Sequence, residues 1–153
     1  MAFTAFRRCS VKLSSVLAAK GSRVFTIRPE ASIGEAVDQL AQNNIGALIV
    51  CGEGGLPVGI LSERDLIRNL AHREVDMFGK TVGDLMTSPV ISGTSNDDAD
   101  SVLHTMTTHR FRHLPVVDNG QLVGMVTIGD LVKAELTEFR GAVVTLETQL
   151  MES

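Results

Sequence analysis

Gly124-Met125-Val126-Thr127-Ile128-Gly129-Asp130 repeats the pattern of Gly59-Ile60-Leu61-Ser62-Glu63-Arg64-Asp65, sixty-five residues earlier. In both stretches a glycine opens, two apolar residues follow, and a small hydroxyl precedes an aspartate by three positions. An apolar helical start comes next, Leu66-Ile67 in one copy and Leu131-Val132 in the other. Two copies of one unit predict a duplicated fold. The purpose of a hydroxyl–carboxylate pair, made twice, is the functional question.

Each copy has the same predecessors. Ser32 and Glu35 form an S-x-x-E capping box, and Ile33, Ala36, Val37, Leu40 and Ala41 follow at helical spacing. Ala47-Leu48-Ile49-Val50-Cys51 is apolar without alternation and predicts a strand covered on both faces. Gly52, Gly54 and Gly55 turn the chain into a second strand over 56–61, and Ser62 opens a helix running to about Ala71. With a first strand over 23–27, the unit reads β-α-β-β-α. From Val90 it starts again. Val90 and Ile91 answer Val24 and Phe25, and Asp98 takes the capping place of Ser32. Ala99, Val102, Leu103 and Met106 form the helix face, Leu114 to Val117 the strand, and Asn119-Gly120 a tight hairpin turn. The predicted fold class is α/β (α+β), two such repeats with pseudo-twofold symmetry packed as one module. Neither repeat alone has enough core to fold independently. The expected segmentation is a tail and short helix (Val11 to Ala19, stopped by Gly21) over 1–21, repeats over 22–77 and 90–140, a linker over 78–89, and a helical extension over 141–153.

That extension carries a second pattern. Val132, Leu136, Phe139, Val143, Leu146 and Leu150 are spaced four, three, four, three, four, a coiled-coil seam. Because the repeat is complete before Phe139, the seam predicts a partner, most simply a second copy of the chain. Gly141 weakens this helix by up to about 1 kcal/mol relative to alanine.

Composition narrows the function classes. The chain has 153 residues, 44% hydrophobic and 21% charged, which is globular rather than disordered. A net charge of −4 gives no global reason to expect nucleic acid, and the lack of Trp and Tyr removes the usual base-stacking platforms. No apolar run is long enough to span a bilayer. Two cysteines, Cys9 and Cys51, make no disulfide framework and point to a reducing compartment, here the cytoplasm. The alternative is an organelle matrix, since the first ten residues bear arginine and no acid. Cys51 reads as a core residue rather than a nucleophile. His104, His109 and His113 lack metal-ligand spacing, so no metal site is expected.

The hydroxyl–aspartate pairs admit two readings. Ser62-x-x-Asp65 and Thr127-x-x-Asp130 are capping boxes in their own right. Equally, a helix start offers free N–H groups and partial positive charge to a phosphate, and an aspartate there accepts bonds from ribose hydroxyls. The residues alone leave both readings open.

The repeat resembles the cystathionine-β-synthase (CBS) domain, and the arrangement resembles a tandem CBS pair, or Bateman module. The resemblance rests on GILSERD and GMVTIGD, on NNIGALIV and RFRHLPVVDNG before them, and on VGDLMT in the linker. It covers roughly residues 11–140. It implies two clefts that commonly bind adenosyl compounds such as AMP, ADP, ATP, NAD(H) or S-adenosylmethionine. By position, Asp65 and Asp130 would take ribose hydroxyls, and Ser62 and Thr127 would contact ribose or phosphate. Gly46, Ala47 and Leu48 in one cleft, and Arg112, His113, Leu114 and Pro115 in the other, would frame the base. Thr26 and Ser92 would line the same clefts. Arg64, Arg110, Arg112 and His113 are the cations for phosphate, arginine being suited by its planar fork. Gly46 and Ala47 stand where the other repeat has Arg112 and His113, so the cleft of Thr127 and Asp130 is expected to bind the phosphorylated ligand more tightly.

No nucleophile–base order, P-loop or metal set appears, so a non-catalytic sensor with a regulatory adenine-nucleotide ligand is expected. Its partners would be that ligand, a second copy, and a regulated protein that the sequence does not name, with neither nucleic acid nor membrane. An interaction scaffold with unoccupied clefts is the alternative.

Overall fold

A computed structural model describes residues 11–72 and 76–152. The Arg-bearing start of the chain and Cys9 lie outside the described residues. The fold is mixed α and β, as expected, and divides into two compact units. One comprises Arg23–Ser92 with Val117–Gly124, and the other 11–22, Gly93–Val116 and 125–152.

The first unit is built on strand β2 (Ala47–Cys51), which pairs in parallel with β1 (Thr26–Ile27) and antiparallel with β3 (Pro57–Ser62). Its register sets Ala47 opposite Ser62 and Leu48 opposite Leu61, with an irregularity between Val50 and Cys51. Leu48 and Val50 enter the core; Ala47 and Ile49, on alternate positions, are equally buried. That explains a strand without polar alternation. Helix α2 (Ile33–Asn43) starts at the Ser32/Glu35 box with both reciprocal bonds formed, and ends at Asn44 in the left-handed region. Ile33, Ala36 and Leu40 are buried, whereas Ala41 is exposed, so the apolar face is narrower than its spacing predicts. Helix α3 (Glu63–Ala71) follows β3 directly. The predicted first strand shrinks to Thr26–Ile27, although Phe25 still accepts from the Ile49 amide at 3.1 Å.

The segment between the repeats contributes to this core. Met77, in a short 3₁₀ turn, is buried with Val82 and Leu85 of helix α4 (Val82–Leu85). Thr81 and Asp84 form a third capping box, which holds the Asp84 carboxyl below its ordinary range, chiefly through the bond from the Thr81 backbone. Val82 and Gly83 donate to the carbonyls of Ala31 and Pro29 at 2.9 and 2.8 Å.

The second unit repeats this closure with a different segment. Helix α1 (Leu13–Lys20) supplies it: Leu13 and Ser14 donate to the carbonyls of Asp97 and Ser95, both at 2.9 Å. Ser32 bridges Thr81 in one unit, and Lys12 bridges Asp98 in the other. The N-terminal helix is therefore the counterpart of the inter-repeat segment and closes the second repeat, burying Leu13, Val16 and Leu17. Helix α5 (Ala99–His109) buries Ala99, Val102 and Met106, and β4 (His113–Asp118) pairs with β5 (Gln121–Thr127) through the positive-φ pair Asn119 and Gly120. The strand expected near Val90 is absent among the described residues. A single parallel bridge from Gly93 to Val116 stands in its place. Helix α6 (Ile128–Glu152) packs on α5 and α1, then continues with its seam exposed, from 37% at Val143 to 75% at Leu150. No described helix is long and apolar enough to cross a membrane.

Candidate functional site

Each unit presents its Ser/Thr-x-x-Asp sequence where a strand runs straight into a helix. In the first, the Ser62 amide and hydroxyl both donate to Asp65 Oδ2 at 2.9 Å, and the Asp65 amide donates to Ser62 Oγ at 3.3 Å. In the second, the Thr127 amide donates to Asp130 Oδ2 at 2.9 Å and the Asp130 amide to Thr127 Oγ1 at 3.1 Å. The reciprocal bonds of a capping box are thus present in both copies. The next amide is fixed in the same way: Glu63 donates to the Gly46 carbonyl at 3.0 Å, and Ile128 to the Arg112 carbonyl at 3.1 Å. This bond brings Gly46 beside Ser62, and Arg112 beside Thr127.

Two residues that the repeat pattern did not mark complete the sites. Thr87 donates its hydroxyl to Asp65 Oδ1 at 3.1 Å, and its backbone exchanges bonds with Ile60 at 2.8 and 3.0 Å. In the other unit Lys20 Nζ bonds Asp130 Oδ2 at 2.5 Å and the Met125 carbonyl at 2.8 Å. Met125 is the repeat equivalent of Ile60, so Thr87 and Lys20 bond equivalent residues of the two repeats, Thr87 through its backbone and hydroxyl and Lys20 through its ammonium. One aspartate has a neutral hydroxyl as its neighbour, the other an ammonium. Lys20 is the last residue of a helix, where a cation reads as a complement to the dipole, and Thr87 sits in a stretch that reads as linker. Neither gave a site signal.

Charge follows geometry. Burial pushes the Asp130 carboxyl up, but the Lys20 and Thr127 hydrogen bonds and the Lys20 charge outweigh it and hold the group below its ordinary value. Lys20 and Asp130 also line a cavity of about 530 Å³ between α1 and α6, walled by Val16, Ala19 and Ala134, with Lys133 beside them.

The remaining predicted positions separate by unit. Thr26 is exposed on β1, Ala47 and Leu48 are buried on β2, and Arg64 is exposed in the first turn of α3. Ser92 is exposed, immediately before Gly93. Arg110 is the left-handed cap of α5 (φ 58), Arg112 is exposed before β4, His113 is half-buried at its start, and Leu114 and Pro115 are buried. Arg64, Arg110 and Arg112 form no ion pair among the described residues. No group of three metal-ligating side chains occurs among the described residues. Burial raises the Cys51 thiol, which disfavours its thiolate.

The chain is 33% identical over 135 residues to the CBS domain-containing protein YhcV of Bacillus subtilis, covering 87% of this chain and 94% of that protein. It is 32% identical over 139 residues to the mitochondrial CBS domain-containing protein CBSX3 of Arabidopsis thaliana, covering 86% and 68%. The crystal structure of a CBS-domain containing protein from Agrobacterium tumefaciens superposes with a TM-score of 0.77 at 38% identity, over 85% of this chain and 97% of that one. The CBS domain pair of protein MJ0100, solved with 5-methylthioadenosine and S-adenosyl-L-methionine, gives 0.74 at 28% identity over 84% and 98%. The CBS domain profile matches twice, at residues 20–72 and 82–137, so the chain belongs to the CBS-domain family as a tandem pair of repeats.

Proposed function

We propose that this chain is a non-catalytic regulatory module that binds an adenine nucleotide (AMP, ADP, ATP or NAD(H)) at its two strand-to-helix junctions and acts as a homodimer. The observation that carries the reading is the duplicated junction itself: a half-buried aspartate beside a hydroxyl and a tethered strand carbonyl, in each repeat. Such a junction offers a carboxylate to a ribose diol, as acidic residues do in dinucleotide folds. The adenosyl ligands of the MJ0100 pair support the same ligand class. Arg64 would serve phosphate at one junction, and Arg110, Arg112 and His113 at the other. Thr26 and Ser92 would line the clefts, and Gly46, Ala47, Leu48, Leu114 and Pro115 would frame the base. The segmentation into repeats over 22–77 and 90–140 belongs to this proposal, as does a reducing compartment, the cytoplasm or an organelle matrix.

A thermal-shift screen with AMP, ATP, NADH and S-adenosylmethionine tests it, because a ligand bound only by the native state raises the melting temperature. A rise of several degrees with an adenine nucleotide is expected. The scaffold reading keeps one specific support: Asp65 is already satisfied by Ser62 and Thr87. Melting temperatures that stay flat across the panel at millimolar ligand would decide for the scaffold.

A further inference from the structure

We propose that Lys20 makes the Asp130 junction selective for phosphate-bearing ligands over neutral nucleosides, by exchanging the Asp130 carboxylate for the ligand's phosphate on binding. The inference rests on the nucleotide reading above and assigns a role to a residue that reading does not use.

The two repeats supply an internal comparison. The equivalent aspartates have different neighbours: Thr87 bonds Asp65, and Lys20 bonds Asp130. A ribose diol arriving at Asp65 displaces a hydroxyl, which water satisfies at little cost. A diol arriving at Asp130 Oδ2 competes with an ammonium, and charge-assisted bonds are roughly twice as strong as neutral ones. The side chains of Lys20 and Asp130 remain 30% and 25% exposed, so water moderates the pair without removing it. A neutral nucleoside takes the carboxylate and leaves the lysine with no anion. A nucleotide brings its own anion, and the flexible lysine stem lets the ammonium move to it while staying beside the cavity shared with Lys133. The lysine keeps an anionic partner in the second exchange and loses it in the first.

The second anchor of α1 provides the control. Lys12 pairs with Asp98 at 2.8 Å at the opposite end of the helix, so its loss loosens α1 without touching Asp130. Calorimetry with AMP and with adenosine is run on full-length protein carrying Asp65→Ala, which silences the other junction. Circular-dichroism melts establish that each variant is folded. Lys20→Thr, which copies the Thr87 chemistry, is expected to lower the AMP-to-adenosine affinity ratio about tenfold, the scale of one partly screened charge-assisted bond. Lys20→Arg should hold the ratio within about threefold, and Lys12→Met should leave it unchanged. A ratio unaltered by Lys20→Thr, in protein that binds AMP, overturns the exchange and leaves the nucleotide reading standing. An equal fall in Lys12→Met assigns the effect to helix docking and also overturns it. If parent protein and the Asp65→Ala background both bind neither compound, the nucleotide reading fails and the exchange with it. AMP binding by the parent alone places the ligand at Asp65 and overturns the exchange only.

Discussion

Thr87 donates its hydroxyl to Asp65 Oδ1 at 3.1 Å, joining a residue beyond α4 to the first turn of α3. The bond ties the segment between the repeats to the helix start that defines the first of them. Asp65 thereby holds three hydrogen bonds, two from Ser62 and one from Thr87. Thr87→Val keeps the shape and the Ile60 backbone bonds and loses only the hydroxyl. Since Thr87 is exposed, the cost should stay below about 1 kcal/mol. Asp65→Ala removes the capping carboxylate and should cost about 1–2 kcal/mol. The double variant should be no less stable than Asp65→Ala alone, because the second change removes a bond already gone. Urea unfolding of the four proteins measures this cycle, and strict additivity would mean the hydroxyl acts elsewhere.

The acid limb of stability should depend on Asp130. Its folded-state value lies below the ordinary 3.8, despite burial, because Lys20 and Thr127 favour the charged form. A depressed carboxyl contributes stability that is complete above the unfolded value and is lost as pH falls through the folded one. The melting-temperature gap between the parent and Asp130→Asn should therefore be widest well above the ordinary carboxylate range and narrow as pH falls below it. A gap that stays constant across that range would show that the pair with Lys20 contributes nothing through charge.

Two glycines of the repeat and its extension should respond in opposite directions. A Cβ at Gly59 would lie 2.5 Å from Met86 Sδ and 3.0 Å from the Thr87 carbonyl oxygen. The backbone oxygen cannot swing aside like a side chain, so Gly59→Ala should destabilise by about 1–3 kcal/mol. A Cβ at Gly141 meets nothing within 4 Å, and the residue lies in the continuous helix α6. Gly141→Ala should stabilise by up to about 1 kcal/mol. Thermal melts of the two variants give the signs directly.

Gly59 also shows why part of this fold was legible in the sequence. Local rules with short reach worked: the Ser32/Glu35 box, the apolar run of β2, the Asn119-Gly120 turn, and both Ser/Thr-x-x-Asp helix starts appear as read. At Gly59 the Met86–Thr87 segment leaves no room for a side chain, a contact between residues far apart in the chain that no periodicity records. The same limit hid Lys20 and Thr87. Their bonds to Asp130 and Asp65 depend on which segment closes which repeat, and helix α1 closes the second repeat from the far end of the sequence. The strands expected near Val24 and Val90 are shorter than their apolar content suggests: the ladder spans two residues in one repeat and one bridge in the other.

The exposed seam of α6 should govern self-association. Val132, Leu136, Phe139, Val143, Leu146 and Leu150 keep coiled-coil spacing along a helix that runs unbroken to Glu152. Phe139 is 67% exposed and Leu136 52%, although both are large and apolar. A contiguous apolar stripe of this kind marks an interaction surface, because leaving it in water forfeits about 25 cal/mol for each Å² that could be covered. Phe139→Glu places a charge at the centre of the stripe. It cannot unfold the repeat core, since Phe139 is no part of it. Analytical ultracentrifugation should find the parent as a dimer at micromolar concentration and Phe139→Glu as a monomer with an unchanged far-ultraviolet spectrum. A parent that sediments as a monomer at 100 μM (roughly tenfold above the usual working range) would remove the seam's assigned role, since a Kd weaker than that corresponds to less than about 6 kcal/mol of association.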